Sequence, residues 1–203
     1  MNAVEKITSE TMLSTSQTNA LNKLTKFVES TDKKVAILKG SAGTGKTTLV
    51  RFLIDNIDRN YFDVALCAPT GKSAEVLGDK THLNTSTVHK KIYERPEAID
   101  SDYLEFFAPL EINDADKPTV YLIDESSLLS DKSINNNSLR FGSGRLLEDL
   151  IEYVGVLDRK FRHKIIFIGD QFQLAPIGMN YSPAICSDYL KNVYCILYRG
   201  CRY

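Results

Sequence analysis

The sequence predicts one α/β domain built on a mostly parallel β-sheet, with helices on both faces of the sheet. Three observations lead to this fold class. Apolar runs with the composition of buried parallel strands recur along the chain, at residues 35–38, 64–68, 119–123 and 164–168. Segments with apolar residues at helical spacing lie between several of these runs, among them residues 48–57 and 146–154. A chain of 203 residues, 43% of them hydrophobic, is long enough for one well-buried domain and short for two.

The first predicted element is a helix that follows a polar start. Residues 1–14 are polar and are expected to be frayed, and the hydroxyl residues from Ser14 onward are suited to capping a helix. Residues 20–28 then place apolar side chains on one helical face. Gln17 lies in the first turn of this helix, where an exposed glutamine is usually only solvated.

The strongest motif lies between the first apolar run and the helix after it. Residues 40–48 read G-S-A-G-T-G-K-T-T and match the phosphate-loop pattern G-x-x-x-x-G-K-[ST] at every fixed position. The three glycines allow backbone N–H groups to turn inward around a phosphate. Lys46 can reach the β- and γ-phosphates, and Thr47 offers a hydroxyl to Mg²⁺. The nucleotide contacts predicted in this loop are Gly40, Ser41, Ala42, Gly43, Thr44, Gly45, Lys46, Thr47 and Thr48.

Polar residues also follow the second apolar run directly. The sequence A-P-T-G-K-S-A begins at Ala68 and brings Thr70 and Lys72 to the end of a predicted strand. A glycine, hydroxyls and a lysine at the carboxyl end of a strand are suited to contacting a phosphate. An ordinary turn capped by Thr70 or Ser73 explains the same residues, and both interpretations stay open at this point.

Two carboxylates and a glutamine follow the third and fourth runs. Asp124 can hold Mg²⁺ through its water shell, and Glu125 can orient or deprotonate the water that attacks a γ-phosphate. Gln171 could sense the γ-phosphate or position that water, although an isolated glutamine at a strand end is more often structural. The sequence therefore predicts a hydrolysis site along the carboxyl ends of the strands.

Two polar segments interrupt this pattern. Residues 94–117 are acidic and are interpreted as an irregular, solvated insertion that its aromatic residues pack against the domain. Residues 131–144 are rich in Asn, Ser and Gly and are interpreted as a mobile surface loop. A last short strand is expected at residues 193–197.

The bulk composition narrows the possible partners. A net charge of -1 gives no general basic footprint, so contacts with nucleic acid must come from local groups and backbone amides. The cysteines form no C-x-x-C pair and lie away from the histidines, which favours free thiols in a reducing compartment over a zinc site. The sequence has neither an apolar run of membrane-spanning length nor the apolar core of a signal peptide at its start. A soluble, cytoplasmic protein without a membrane partner is expected.

Taken in order, these stretches resemble the first motor domain of a superfamily 1 DNA helicase of the RecD-like branch, whose members travel 5′ to 3′. The resemblance covers roughly residues 10–200 and rests on S-Q-T-N-A, the phosphate loop, A-P-T-G-K-S-A, I-D-E-S-S and G-D-Q-F-Q-L-A-P. Phosphate loops occur in many families, whereas the combination of the third and fifth stretches is much more specific. The resemblance implies a RecA-like P-loop NTPase domain with ATP and Mg²⁺ as cofactors and single-stranded DNA as partner.

The resemblance also implies roles for individual residues. Gln17 would contact adenine, Lys46 and Thr47 would hold phosphate and Mg²⁺, and Gln171 would couple the γ-phosphate to DNA. Asp124 and Glu125 would keep the roles already given. The positions that match DNA-contacting stretches of the family are Pro69, Thr70, Lys72 and His89.

The chain departs from the family pattern in ways that limit this expectation. In the family, ATP lies between two RecA-like domains, and the second domain supplies arginines that stabilise charge on the transferring phosphate. No second motor domain is recognised in these residues, and Y-R-G-C-R-Y around Arg199 and Arg202 does not match the usual sequence of the first such arginine. The polar loop after Asp124 is also longer than in shorter family members. Efficient ATP binding is therefore expected, with slow hydrolysis and no unwinding unless another chain completes the motor.

Two other classes of function also use a phosphate loop. A nucleotide-dependent module that binds DNA or protein with little turnover would need no second domain. A small-molecule kinase would need an arginine-rich lid, and the sequence after Gln173 has too few arginines for one.

Overall fold

The computed structural model describes residues 13–100, 105–133, 138–158, 162–194 and 198–202, with no side-chain detail for residues 100 and 198–202. In chain order the strands are β1 (Val35–Lys39), β2 (Asp63–Ala68), β3 (Thr85–Thr87), β4 (Glu97–Asp100), β5 (Glu105–Ala108), β6 (Thr119–Ile123), β7 (Leu139–Phe141), β8 (Lys164–Gly169) and β9 (Tyr198–Arg202). The helices are α1 (Thr15–Glu29), α2 (Lys46–Asp55), α3 (Gly71–Thr81), α4 (Val88–Ile92), α5 (Leu146–Val154) and α6 (Ser187–Tyr194).

Six of the described strands form the central sheet in the order β3-β2-β6-β8-β1-β9. Every neighbouring pair in this sheet is parallel, so all six carboxyl ends lie at one edge. The polar residues that follow these strands in sequence are brought together at that edge, as in other open parallel sheets.

The hydrophobic core lies on both faces of the sheet. Side chains of β1 alternate between the faces: Ala36 and Leu38 pack with α1, α2 and α3, while Val35 and Ile37 pack with α4, α5 and α6. All four are completely buried, as is typical of a central strand covered on both sides. The fold is therefore the predicted mostly parallel α/β sheet with helices on both faces.

A capping box begins α1. The hydroxyl of Ser14 accepts a hydrogen bond from the backbone N–H of Gln17 (3.3 Å), and the side chain of Gln17 accepts one from the backbone N–H of Ser14 (2.8 Å). The helix thus begins within the predicted stretch of hydroxyl residues, with Ser14 as its cap. Among the described residues, no helix combines the length and the apolar character needed to cross a bilayer.

The two polar segments contain strands that the sequence analysis did not predict. Within residues 94–117, β4 and β5 pair as an antiparallel hairpin, and β7 from residues 131–144 joins β5 in parallel. Residues 101–104 and 134–137 lie outside the described part. Phe141 of β7 packs against His89 and Tyr93, so the second segment is attached to the domain where it forms this strand. The composition does not indicate these three strands, because β4 and β5 lie among polar residues and β7 pairs with β5 from a distant part of the chain.

The last strand also lies later than predicted. Residues 193–194 end α6, residues 195–197 lie outside the described part, and β9 begins at Tyr198. Leu190 and Tyr194 are buried at helical i, i+4 spacing, and this spacing outweighs the strand-like composition of residues 193–197. Arg199 and Arg202 therefore lie in a strand, where they pair in register with Ala36 and Lys39 of β1.

Candidate nucleotide site

The phosphate loop connects β1 to α2 at the carboxyl edge of the sheet. Gly43 and Gly45 have φ angles of +78° and +80°, a backbone region that residues with a Cβ rarely adopt. A Cβ added to Gly40 would lie 2.7 Å from the hydroxyl oxygen of Thr44, so this position also requires glycine. These constraints explain why glycines occupy the three positions. Helix α2 begins directly at the end of the loop, so that the N–H groups of its first turn point toward the loop.

The ammonium of Lys46 lies across the loop. It donates hydrogen bonds to the carbonyl oxygens of Gly40 (2.8 Å) and Ser41 (3.0 Å). Both acceptors are neutral carbonyl oxygens, whereas a phosphate oxygen carries negative charge and adds Coulomb attraction to its hydrogen bond with the ammonium. A phosphate group entering the loop would therefore compete effectively for this lysine.

The two carboxylates follow β6, which is separated from β1 by β8 in the sheet. Burial raises the pKa of Asp124, and this effect is partly offset by a hydrogen bond from the backbone N–H of Glu125 (2.9 Å) and by the charge of Lys46. The electrostatic interaction of Asp124 with Lys46 indicates that the carboxylate turn and the phosphate loop lie near each other.

The donors at this edge fit a magnesium ion that is held mainly by phosphates and water. No cluster of three or more His, Cys, Asp or Glu side chains able to hold a metal occurs among the residues that the structure describes. Mg²⁺ commonly binds through one or two protein oxygens together with substrate phosphates and water, so a metal cage is not required. Thr47 and Asp124 supply donors of that kind.

Glu125 has φ of +50°, a left-handed backbone conformation. The turn after it is fixed by Ser126, whose hydroxyl donates to the carbonyl of Ile123 (2.5 Å) and accepts from the N–H of Ile168 in β8 (3.2 Å). Ser126 is completely buried, so these two bonds tie the carboxylate turn to the neighbouring strand. The position of Glu125 is therefore set by the sheet itself.

Gln173, which the sequence analysis did not select, is connected to this turn. Its side-chain oxygen accepts a hydrogen bond from the hydroxyl of Ser127 (2.8 Å), while Gln171 is exposed. Asp170 turns the chain here, since its carboxylate accepts from the N–H of Phe172 (2.9 Å) and its carbonyl from the N–H of Gln173 (3.2 Å). The available signal is that glutamines stand two residues apart in the loop after β8, and only the turn decides which of them contacts the segment after Glu125.

The residues matched to DNA-contacting stretches lie in two places, at the N-terminus of α3 and in α4. Thr70 caps α3 by accepting a hydrogen bond from the N–H of Ser73 (3.1 Å). Lys72 is exposed at the same turn and pairs with the exposed Glu75 (2.9 Å). His89 is half-buried against the rings of Tyr93 and Phe141, and burial lowers its pKa.

Comparison with known proteins gives a family for most of this region. Residues 12–138 match the family described as AAA domain. The ATP-dependent RecD2 DNA helicase of Deinococcus radiodurans is 34% identical over 98 residues, which are 48% of this chain and 12% of that protein. The ATP-dependent DNA helicase dda of Enterobacteria phage T4 is 32% identical over 121 residues, which are 59% of this chain and 27% of that protein. The chain thus spans only a fraction of the length of these relatives.

Solved structures of Pif1 helicase from Bacteroides share the fold. The complex of Bacteroides sp Pif1 with ADP-AlF4 aligns with a TM-score of 0.52 at 18% identity and covers 96% of this chain and 43% of that one. A double mutant of the Bacteroides enzyme aligns with a TM-score of 0.55 at 19% identity and covers 95% and 42% of the two chains.

Proposed function

We propose that this chain, which belongs to the AAA domain family, binds ATP with Mg²⁺ and couples its hydrolysis to 5′ to 3′ movement on single-stranded DNA. Its fold is the RecA-like fold of a superfamily 1 helicase motor domain. The observation that carries the proposal is the convergence of the phosphate loop and the Asp124–Glu125 pair at one edge of the sheet, with Lys46 close enough to affect the pKa of Asp124.

Each residue of this edge has a role in the proposed hydrolysis. The loop N–H groups and Lys46 bind the phosphates, with Lys46 leaving the carbonyls of Gly40 and Ser41 for phosphate oxygens. Thr47 and Asp124 hold Mg²⁺, which when bound neutralises charge on the β- and γ-phosphate oxygens. Glu125 orients the attacking water and accepts its proton.

Coupling to DNA requires a structural connection between the carboxylates of the nucleotide site and the surface residues that would contact DNA. The hydrogen bond from Ser127 to Gln173 supports such a connection, since it joins the turn after Glu125 to the loop after β8. The exposed Lys72 could contact a DNA phosphate once its pair with Glu75 opens, because ion pairs on the surface contribute little stability. Pro69 and Thr70 would place the N-terminus of α3 beside the DNA strand. His89 is the weakest of the proposed contacts, because its ring packs against Phe141.

A second RecA-like domain, from the same protein or another chain, would supply the arginines that complete the catalytic centre. Such arginines raise turnover by about 10³ to 10⁵ in other nucleotide hydrolases. We therefore propose that the residues described here bind ATP on their own and hydrolyse it slowly.

The test measures phosphate release with and without single-stranded DNA. The expected result is a slow basal rate that DNA increases, together with a loss of about 10² to 10⁴ in kcat in Glu125→Gln at retained affinity for Mg²⁺·ATP. Binding of ATP with neither turnover nor stimulation, even with a partner domain supplied, would contradict a motor. It would favour a nucleotide-dependent module that binds DNA or protein.

A further inference from the structure

The side chain of Gln17 has both of its polar atoms engaged within the protein. Its oxygen accepts a hydrogen bond from the backbone N–H of Ser14 (2.8 Å), which closes the cap of α1. Its nitrogen donates a hydrogen bond to the carbonyl oxygen of Thr44 in the phosphate loop (2.9 Å). One side chain thus connects the start of a helix to the loop, 27 residues further along the chain.

The phosphate loop closely surrounds this amide. A Cβ added to Gly45 would lie 2.7 Å from the side-chain nitrogen of Gln17, a distance that would force one of the two groups to move. Gly45 is also the residue that caps α2, with φ of +80°. The amide therefore contacts the loop at the point where the backbone turns into the helix.

This contact leads on to Lys46. The hydroxyl of Thr44 donates to the carbonyl of Ser41 (2.8 Å), and the same carbonyl accepts a hydrogen bond from the ammonium of Lys46 (3.0 Å). Gln17 is therefore connected through Thr44 and Ser41 to the lysine that would bind phosphate. Loss of the amide would release the turn that orders these groups.

We propose that Gln17 is a positioning residue for the triphosphate, fixing the Thr44–Gly45 turn so that the loop is ready to bind phosphates whatever base the ligand carries. This inference rests on the proposed binding of a nucleoside triphosphate at the loop. It differs from the adenine contact that the family resemblance implies for this residue. An amide that recognised the base would add affinity only for ligands that carry that base, whereas an amide that preorganises the loop adds affinity for any ligand with the phosphates.

The experiment uses a ligand that has phosphates and no base. Binding of Mg²⁺·tripolyphosphate and of Mg²⁺·ATP is measured by calorimetry for the unsubstituted chain and for Gln17→Met, which keeps side-chain length and removes both polar atoms. The expected result is that both ligands bind about fivefold more weakly to Gln17→Met, as for the loss of one hydrogen bond. Ser14→Ala is the matched control, since it removes the cap acceptor of Gln17 N–H and retains the amide contact with Thr44, and it should leave both affinities unchanged.

Several results would overturn the proposal. If Gln17→Met weakens ATP and leaves tripolyphosphate unchanged, the amide recognises the base, and if neither affinity changes, it does not position the loop. If the unsubstituted chain binds ATP but not tripolyphosphate, the base carries the affinity. Binding of neither ligand contradicts the proposed function itself and the inference with it.

A second measurement covers the case in which Gln17→Met folds poorly. The unsubstituted chain should bind ATP and GTP with similar affinity, since the proposed role of Gln17 does not depend on the base. A strong preference for ATP would contradict it.

Discussion

Glu125 combines a proposed catalytic role with an uncommon backbone conformation. Its φ of +50° lies in the left-handed region, and residues held in such sparsely populated regions cost about 1–3 kcal/mol each. The conformation persists because Ser126 and Ser127 anchor the following turn to β8 and to the loop after β8. Strain of this kind clusters at active sites, where it fixes a side chain that acts on the substrate.

The two glutamines after β8 lead to opposite predictions. The hydrogen bond between Ser127 and Gln173 indicates that Gln173→Ala lowers kcat for ATP and leaves the Mg²⁺·ATP dissociation constant near its original value. Gln171 is exposed, and Gln171→Ala is expected to have a small effect on both. Steady-state phosphate release and calorimetry on the two matched variants check this, and the reverse order of effects would support the role that the family resemblance implies for Gln171.

Lys164 makes stability depend on pH in the alkaline range. Its ammonium is buried and donates to the carbonyls of Phe27 (3.0 Å), Ser30 (2.5 Å) and Lys33 (2.7 Å), and burial lowers its pKa from 10.5 to about 8. Between these two values the unfolded chain binds more protons than the folded chain, so the free energy of unfolding rises with pH.

The contribution of Lys164 can be isolated by comparing the original chain with Lys164→Met. Their difference in unfolding free energy should change in favour of the original chain from pH 8 to 10.5, by up to about 3 kcal/mol for a shift of this size. Urea titrations at several pH values measure it. A difference that stays constant over this pH range would show that folding does not lower the pKa of Lys164.

Between elements, Asp149 of α5 connects α4 to the segment that carries β7. Its carboxylate accepts hydrogen bonds from the hydroxyl of Tyr93 (2.5 Å) and from the backbone N–H of Ser143 (3.1 Å), and it is buried. Burial, followed by the interaction with Asp149, raises the pKa of Tyr93. The strands β4, β5 and β7 form a separate three-stranded sheet, here called the accessory sheet. It is thus attached to the domain through a buried polar contact as well as through the ring of Phe141.

Asp149→Asn should destabilise the fold through this contact. Both donors lie nearest the same carboxylate oxygen, and in asparagine the other oxygen, 3.3 Å from the backbone nitrogen of Ser143, becomes an NH2 group that cannot accept from this N–H. Two donors that face each other in a buried position cost about 1–3 kcal/mol. Glu152→Gln, an exposed change on the same helix, should stay within about 0.5 kcal/mol. Equal effects in urea denaturation would mean that Asp149 does not hold the accessory sheet.

Four strands of the central sheet could be predicted from sequence because their information is local, whereas β3 is not predicted and β9 begins later than expected. The runs at residues 35–38, 64–68, 119–123 and 164–168 are each continuous and apolar, and β1, β2, β6 and β8 lie there. The strands β4, β5 and β7 are short and surrounded by polar residues. The pairing of β5 with β7 joins segments about 30 residues apart, which no local pattern records, and the polar composition of residues 94–117 does not indicate the hairpin of β4 and β5.

The same distinction holds for the candidate site. Lys46, Asp124 and Glu125 could be selected because motif and strand end coincide in sequence. Gln173 and the loop contact of Gln17 could not, since each depends on a turn that brings distant backbone close.

For the whole molecule, the parallel sheet collects the nucleotide site and the Pro69–Lys72 turn at one edge. Coupling between nucleotide and DNA requires the two regions to lie at the same edge of the sheet. The catalytic arginines would come from a second domain, as proposed above. The chain covers 42% to 43% of the Pif1 chains whose fold it shares. Unwinding of DNA by a longer protein is therefore also a proposal.

Coupling between ATP and DNA is the central claim, and the affinity for single-stranded DNA tests it most directly. Fluorescence anisotropy with a labelled oligonucleotide gives the dissociation constant with no nucleotide, with ADP, and with a non-hydrolysable ATP analogue, each with Mg²⁺. Since coupled sites typically affect each other about 5- to 150-fold, we predict a change of at least about fivefold between the ATP-like state and one of the others, lost in Lys46→Ala. The same affinity in all three states, with nucleotide binding verified by calorimetry, would contradict the account.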